Sequence, residues 1–169
     1  MNPVAQARAQ ALGLAPHPEG GWFRETFRSQ ERVAAAALPG RFGGDRVLAT
    51  SILYLLGQGE RSHFHRLHAD EVWSHHEGGA LLVHLLKHGG LHTLVVGPDS
   101  PQQVVPNGTW FAAELADGAE YGLAGCAVSP GFEYEDFELA RRDALLTEYP
   151  SQREIVLRFT RTPEEPAWL

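Results

Sequence analysis

The chain has 169 residues, a length that suits one domain with a real hydrophobic core. Its formal charge of −7, without any Lys/Arg run, argues against a nucleic-acid partner, and no apolar stretch reaches the length of a membrane span. A single cysteine, Cys126, excludes an internal disulfide framework; together with an N-terminus unlike a signal peptide, it indicates a cytoplasmic protein.

The N-terminus predicts one short helix. Asn2 can cap it, the proline that follows suits its first position, and Gly13 supplies a stop. Helical spacing places Val4, Ala7 and Ala11 on one face.

The next segment, WFRETFRS, alternates and predicts a strand. Phe23, Glu25 and Phe27 then share one face, and Arg24 lies on the other. Glu25 is either a carboxylate aimed into a pocket or an edge residue. Arg24 could bind an anionic group, but both cannot point inward from a regular strand, and we take Glu25 as the substrate-binding candidate.

The rest of the chain is rich in short strands separated by Gly, Pro, Asn and Asp turns. Residues 29–44 read as a surface excursion, and residues 46–56 as a central buried strand. ELARRDALLTEY predicts one short helix near the C-terminus. This spacing of turns indicates an all-β sandwich or barrel, with residues 1–169 as one domain. The further predicted strands are SHFHR, EVWSHH, ALLVHLL, LHTLVV, QQVV, TWFAAE, EYGLAGCAVS and REIVLRF.

Histidines are concentrated in the middle of the chain, where eight of the nine lie between His63 and His92. On a regular strand His63 and His65 face the same side, and on the return strand Glu71, Trp73 and His75 do so as well. Two imidazoles and a carboxylate can therefore converge inside a barrel. Such a set leaves coordination positions open, which suits a catalytic divalent transition metal.

The other histidines have simpler interpretations. His68, His88 and His92 lie in or beside turns, where solvation is expected. His84 interrupts an apolar run and is expected to be a hydrogen-bonded core histidine. Cys126 lies in a strand of small residues and is interpreted as buried filling rather than a nucleophile.

These residues resemble the first cupin motif. Gly57, His63, His65, Glu71 and Gly78 fit G-x5-H-x-H-x(3,4)-E-x6-G, except that five residues rather than four separate the second histidine from the glutamate.

The second cupin motif, P-x-G-x2-H-x3-N, is half present. Pro106 and Gly108 fit it, but Phe111 stands where the ligand histidine belongs and Leu115 where the asparagine belongs. The chain therefore resembles a cupin that lacks the fourth ligand, which weakens a prediction of Fe(II) dioxygenase chemistry.

Four stretches extend the resemblance over residues 14–159. PHPEGGWFRETFRS, FHRLHADEVW, VVPNGTWFAAEL and LAGCAVSPGFEYEDFELARRDAL are similar, in this order, to the cupin 5 family. The resemblance implies a double-stranded β-helix jelly roll, a homodimer, and kinship in fold to dTDP-sugar 3,5-epimerases and germin-like proteins. The family has no settled reaction.

The resemblance also carries residue-level expectations. The family commonly keeps His65 and Glu71 but not His63, and Ser74 stands where it usually has a histidine. His76 has counterparts in some members. His65 and Glu71 are thus the expected shared polar centre.

Two classes of function follow. In the first, His65 and Glu71 transfer protons in an isomerase or epimerase acting on a sugar or nucleotide-sugar. The alternatives are a metal-dependent enzyme with His63, His65 and Glu71 as ligands, and a non-catalytic cupin that only holds a small molecule. Substrate contacts are expected from Trp73 and Trp110, which could equally be core residues, and from three further residues, Glu25, His75 and His76. The loop PGFEYEDFEL could close the barrel mouth or cover an edge.

Overall fold

The structure is a computed structural model that describes residues 2–87 and 90–162. Within this part of the chain, short antiparallel strands account for most of the regular structure. The helices are α1 (Pro3–Ala11), α2 (Arg142–Glu148) and α3 (Arg153–Arg158). The strands are β1 (Ala15–Pro16), β2 (Trp22–Arg28), β3 (Arg32–Val33), β4 (Arg46–Val47), β5 (Thr50–Gly57), β6 (Arg61–Leu67), β7 (Asp70–Gly78), β8 (Leu81–Lys87), β9 (Gly90–Val96), β10 (Gln102–Val105), β11 (Trp110–Leu115), β12 (Tyr121–Ser129) and β13 (Phe137–Leu139).

Two antiparallel sheets form the body of the protein. One has six strands in the order β1-β2-β5-β12-β7-β10, and the other has five in the order β13-β6-β11-β8-β9. Strands adjacent in sequence often lie in different sheets, so the chain passes repeatedly from one layer to the other. This arrangement confirms the predicted all-β jelly roll with one short N-terminal helix.

The main core lies between the inner faces of the two sheets. Alternation along each strand sends apolar side chains inward, where burial stabilises the sandwich. The buried members of this core are Tyr54, Leu56, Trp73, Leu81, Val83, Leu85, Val96, Val105, Phe111, Ala113, Ala124 and Cys126.

Helix α1 is capped as predicted but packs through a different face. The Asn2 side chain accepts a hydrogen bond from the Ala5 amide at 2.8 Å. Ala5 and Ala9 are the buried residues, against the outer face of the six-stranded sheet, whereas Val4 is 42% exposed. The face that Val4, Ala7 and Ala11 share is the exposed one.

The C-terminal segment REIVLRF is a helix, not the predicted strand. Val156 and Phe159, three residues apart, lie on the same side of α3 and pack with Leu145 of α2 on the outer face of the five-stranded sheet. The predicted late helix is confirmed, although it begins at Arg142.

Two other segments differ in detail from their predictions. The buried strand predicted over residues 46–56 is split into β4 and β5. The predicted surface excursion contains β3, which pairs with β4, and a 3₁₀ turn at Ala35–Ala37, and most of it is exposed. Among the described residues, none of the helices is both long and apolar enough to span a membrane.

Candidate functional site

A cavity opens between the two sheets at the end of the sandwich near β13. The space within it, counted out to and including its open mouth, is about 700 Å³. Polar groups line its deep end and aromatic rings line its walls. The lining residues that the site uses are His17, Glu19, Phe23, Glu25, Arg28, Tyr54, His65, Glu71, Trp73, Cys126, Phe132, Glu133, Tyr134 and Phe137.

Strand register explains which side chains of the six-stranded sheet reach the cavity. Residues paired across neighbouring strands point to the same face. One inward row runs Glu25, Ile52, Cys126, Trp73, and the next runs Arg28, Thr50, Val128, Glu71. The predicted placement of Glu71 and Trp73 on one face is confirmed, and both line the cavity.

Glu19 is the central polar group of the cavity, and the sequence reasoning missed it. It lies on the loop between β1 and β2 and is only 5% exposed. Gly20 and Gly21 follow it, both with positive φ, and a Cβ on Gly20 would lie 2.2 Å from the Arg61 carbonyl oxygen. The two glycines therefore let the loop lie directly against β5 and β6, which turns the Glu19 carboxylate inward.

A β-bulge in β6 brings Ser62 and His65 to the same side. Phe111 pairs with His65 and Ala113 with Ser62, so two steps along β11 match three along β6. The Ser62 hydroxyl donates to Glu19 Oε1 at 2.9 Å, and His65 Nε2 lies 3.0 Å from Glu19 Oε2.

His65 and Glu19 form a buried ion pair. The second ring nitrogen of His65, Nδ1, lies 2.8 Å from the His63 carbonyl oxygen, so both nitrogens face acceptors and the imidazolium is the form that satisfies both. Burial lowers the pKa of His65, but the Glu19 charge and hydrogen bonds outweigh burial and raise it. Burial likewise raises the pKa of Glu19, but His65, His17 and Ser62 outweigh burial and lower it.

Glu71 is the second buried carboxylate, 7% exposed, and its environment is the opposite of that of Glu19. Burial and then the negative charge of Glu19 raise its pKa to about 7, although the charge of His65 and a hydrogen bond from Trp73 oppose the change. Trp73 Nε1 donates to Glu71 Oε2 at 2.8 Å. Among the described residues no hydrogen bond is made to Glu71 Oε1, and this oxygen belongs to a side chain that lines the cavity.

Three further polar side chains surround this centre, all in un-ionised form. Burial lowers the pKa of His17, whose Nδ1 accepts the Glu19 amide hydrogen at 3.3 Å. Burial raises the pKa of both the Tyr54 hydroxyl and the Cys126 thiol well above their usual values. Tyr54 donates to the Gly20 carbonyl oxygen at 2.7 Å. Cys126 packs in the core, as its interpretation as buried filling predicts, and also lines the cavity.

The mouth of the cavity is held by an ion-pair network. Arg28 donates to both carboxylate oxygens of Glu25, at 3.0 and 2.9 Å, and to Glu133 Oε1 at 2.9 Å. A second bulge, at Thr26, puts Arg28 on the same side as Glu25 and leaves Phe27 53% exposed, so the expectation that Phe27 shares a face with Glu25 is wrong. Glu25 lines the cavity as predicted.

The loop PGFEYEDFEL covers a sheet edge, one of its two predicted roles, and it lines the mouth of the cavity without closing it. Phe132, Glu133 and Tyr134 line the mouth, and Phe137 begins β13, which pairs with β6 and covers that edge of the five-stranded sheet.

The structure separates His63 from His65 and Glu71. Because of the bulge in β6, the His63 ring lies in a different groove, where its Nδ1 is 2.7 Å from the Glu19 carbonyl oxygen. The prediction that His63 and His65 face the same side is therefore wrong. Among residues 2–87 and 90–162, no three His, Cys, Asp or Glu side chains are arranged to hold a metal ion. Both ring nitrogens of His65 already face protein acceptors, so the proposed ligand set does not fit a metal.

Three predicted substrate-binding residues lie outside the cavity. Trp110 packs with Phe64 and Phe159 beneath the C-terminal helices, the core alternative considered for it. A Cβ on Gly125, which would point to the outer face of the sheet, would lie 2.5 Å from His76 Nε2, so His76 covers that face. His75 Nε2 lies 3.2 Å from the Gly78 carbonyl oxygen.

The remaining histidines are structural or exposed. His84 is buried, with Nδ1 2.9 Å from Thr93 Oγ1 and Nε2 3.1 Å from Glu114 Oε1, as expected for a satisfied core histidine. His92 is exposed. His68, predicted to be solvated, is half-exposed and lies 3.2 Å from Asp136 Oδ1. The prediction for His88 lies outside the described residues.

Solved structures of other proteins share this architecture. Oxalate decarboxylase from Bacillus subtilis matches with 14% identity and a TM-score of 0.55, over 90% of this chain and 37% of that one. This likeness concerns the fold, which is that of the cupins: two antiparallel sheets around an interior cavity.

The family assignment follows from the sequence. The model of the family described as "Cupin superfamily (DUF985)" matches residues 6–140, and the chain belongs to this family. A hypothetical protein from Leishmania major is 32% identical, with a TM-score of 0.84 over 94% of this chain and 99% of its own. Protein SO0799 from Shewanella oneidensis is 39% identical, with a TM-score of 0.80 over 93% and 97%. The search of curated proteins finds no match.

Proposed function

We propose that this cupin is an isomerase- or epimerase-like enzyme that moves a proton on a small sugar-type molecule bound in the cavity. Glu71 is the proton-transferring group. Beside Glu71, His65 and Glu19 form a charged pair that stays ionised, and Ser62 positions the Glu19 carboxylate. The observation that carries the proposal is that two buried carboxylates in one cavity have pKa values moved in opposite directions.

This division of roles follows from acid–base catalysis. A general acid or base works best when its pKa is near the working pH, and Glu71, with a pKa of about 7, exchanges its proton readily there. Glu19 stays ionised beside the imidazolium and takes no part in proton exchange. Environments that move the pKa values of two neighbouring groups in opposite directions are typical of acid–base sites.

The cavity walls suit a ring-shaped substrate. Trp73 is the largest aromatic side chain at the deep end, and its indole nitrogen is held by Glu71, so the ring orientation is fixed. A sugar ring bound at this end of the cavity would bring a carbon-bound proton towards Glu71 Oε1. We propose that the sugar part of a sugar or nucleotide-sugar enters the cavity.

The test is solvent exchange. The protein is incubated in D₂O with a panel of aldoses, ketoses, amino sugars and nucleotide-sugars, and loss of carbon-bound proton signals is followed by NMR. We expect exchange at one carbon of one compound, lost by about 10²–10⁴-fold in Glu71→Gln. Glu138→Gln, which breaks the exposed Arg66–Glu138 pair away from the cavity, is the control and should exchange like the wild type.

A second candidate is a non-catalytic binding cupin. It is favoured by the fact that both ring nitrogens of His65 already contact protein acceptors, so the ring is held in place and does not exchange protons with a ligand. A compound that binds tightly but never exchanges with solvent, in wild type and Glu71→Gln alike, would favour this candidate.

We also propose that the chain forms a homodimer. Leu91 and Val95 on the edge strand β9, and Val104 on the edge strand β10, are 37–49% exposed and give neighbouring sheet edges an apolar surface. Light scattering after size exclusion tests this: the wild type is expected at twice the chain mass, and Val95→Lys/Val104→Lys at the chain mass.

A further inference from the structure

We infer that the cavity takes a small organic cation, held through an ammonium group between aromatic rings and carboxylates. This inference concerns the substrate class of the site described above and rests on the proposed function.

Aromatic rings line much of the cavity. Ring faces attract cations because of their negative quadrupole, and cages of several rings recognise alkylammonium groups. Four of the rings pack edge to face in pairs: His17 against Phe23, and Tyr54 against Trp73. Such pairs fix the orientation of the ring faces. The carbon rings with exposed surface at the cavity are Phe23, Phe132, Tyr134 and Phe137, whereas Tyr54 and Trp73 also line it but are 1% exposed.

Carboxylates outnumber the cations available to a ligand. Four glutamates line the cavity, against one arginine and two histidines. Of the histidines, His65 is paired with Glu19, and His17 is kept neutral by burial. The Glu71 side chain is more than nine-tenths buried, and its Oε1 has no hydrogen-bond donor among the described residues, so a ligand cation could contact this oxygen directly.

The arginine at the mouth already makes four hydrogen bonds. Besides its three bonds to Glu25 and Glu133, Arg28 donates to the Phe132 carbonyl oxygen at 3.2 Å. A phosphate or carboxylate group would have to displace these partners and would then lie beside two unpaired carboxylates. The mouth therefore disfavours small anions.

The experiment compares three probes of nearly equal shape by calorimetric titration: choline, its neutral isostere 3,3-dimethylbutan-1-ol, and 3,3-dimethylbutanoate. We expect choline to bind at least about tenfold more tightly than the alcohol, and the anion to bind least. The permanent charge of choline makes the comparison independent of ligand protonation.

The test variant removes the two negative charges at the mouth of the cavity. Glu25→Gln/Glu133→Gln leaves Arg28 without carboxylate partners, and the preference for choline over the anion should fall at least about tenfold. Both side chains are partly exposed, 40% and 35%, so folding should be retained, and the single variant Glu133→Gln should show an intermediate loss. Glu138→Gln is again the control and should keep the wild-type preference.

The outcomes separate this inference from the proposed function. Equal affinity for the three probes, tighter binding of the anion, or no binding of choline at millimolar concentration would overturn the cation site, while solvent exchange at Glu71 could still be observed. Conversely, a clear preference for choline without any solvent exchange in the panel would support the cation site and refute the proton-transfer function.

Discussion

Replacing Glu71 by glutamine removes a group that folding makes harder to ionise. Its pKa rises from an ordinary 4.5 to about 7 in the folded protein, so the folded state holds more protons than the unfolded state between these values. The contribution of Glu71 to the free energy of unfolding is therefore fully present below pH 4.5 and is lost as the pH rises through 7. The interval of about 2.5 pH units corresponds to about 3 kcal/mol of unfolding free energy.

Most substitutions of buried residues lower the free energy of unfolding, but Glu71→Gln should raise it. Glutamine is close in size, and its amide oxygen can still accept the hydrogen bond from Trp73 Nε1. We therefore expect Glu71→Gln to gain about 2–3 kcal/mol relative to the wild type between pH 4.5 and pH 8.5, while solvent exchange is lost. Urea unfolding at several pH values measures this gain.

The comparison between the two proteins isolates Glu71. The raised pKa of His65 gives the wild type a second loss of stability in the same direction, as the pH passes through that pKa, so the wild-type slope alone is ambiguous. A stability difference between variant and wild type that stays constant from pH 4.5 to 8.5 would refute the assignment of a raised pKa to Glu71.

Three further predictions concern neighbouring residues. Glu19→Gln leaves an unpaired buried imidazolium, so it should lower the pKa of His65, which NMR titration measures. The same variant should lose about 3–5 kcal/mol of unfolding free energy at pH 7 in urea unfolding. An unchanged titration of His65 would contradict the ion pair. His63→Ala should leave the metal content of untagged protein, measured by plasma mass spectrometry, at the wild-type level; one equivalent of metal lost in this variant and in His65→Ala would restore the ligand set. Trp110→Phe should cost about 1–3 kcal/mol and leave ligand affinity unchanged; weaker binding would place Trp110 at the site.

Strand positions could be predicted well from the sequence because the signals are local. Alternating apolar residues and Gly, Pro or Asn turns give the bounds of β10 without error and those of β6 to β9, β11 and β12 within one or two residues. REIVLRF fails because its apolar residues suit either period. The packing of Val156 against α2 and the sheet, which no local pattern reveals, decides for a helix.

The polar centre could be predicted only in part. Glu71, Trp73 and Glu25 face the cavity because their strands are regular up to these residues. The prediction for His63 is wrong because the bulge in β6 adds a residue to the alternation, and only the pairing with β11 reveals this bulge. Glu19 lies in PHPEGGW, within the stretch that carries the family resemblance, and a carboxylate beside two glycines in such a stretch was the available signal.

The chemistry of the centre follows from a count of its buried charges. Glu19, Glu71 and His65 share one enclosed space, and one imidazolium can compensate one carboxylate. Glu19 takes that partner because it contacts His65 directly and also accepts from Ser62. Among the described residues Glu71 has a single donor, Trp73, so it holds a proton until the pH nears 7. An ammonium group entering the cavity would supply the missing positive charge and release that proton, which makes ligand binding itself the step that turns Glu71 into a base.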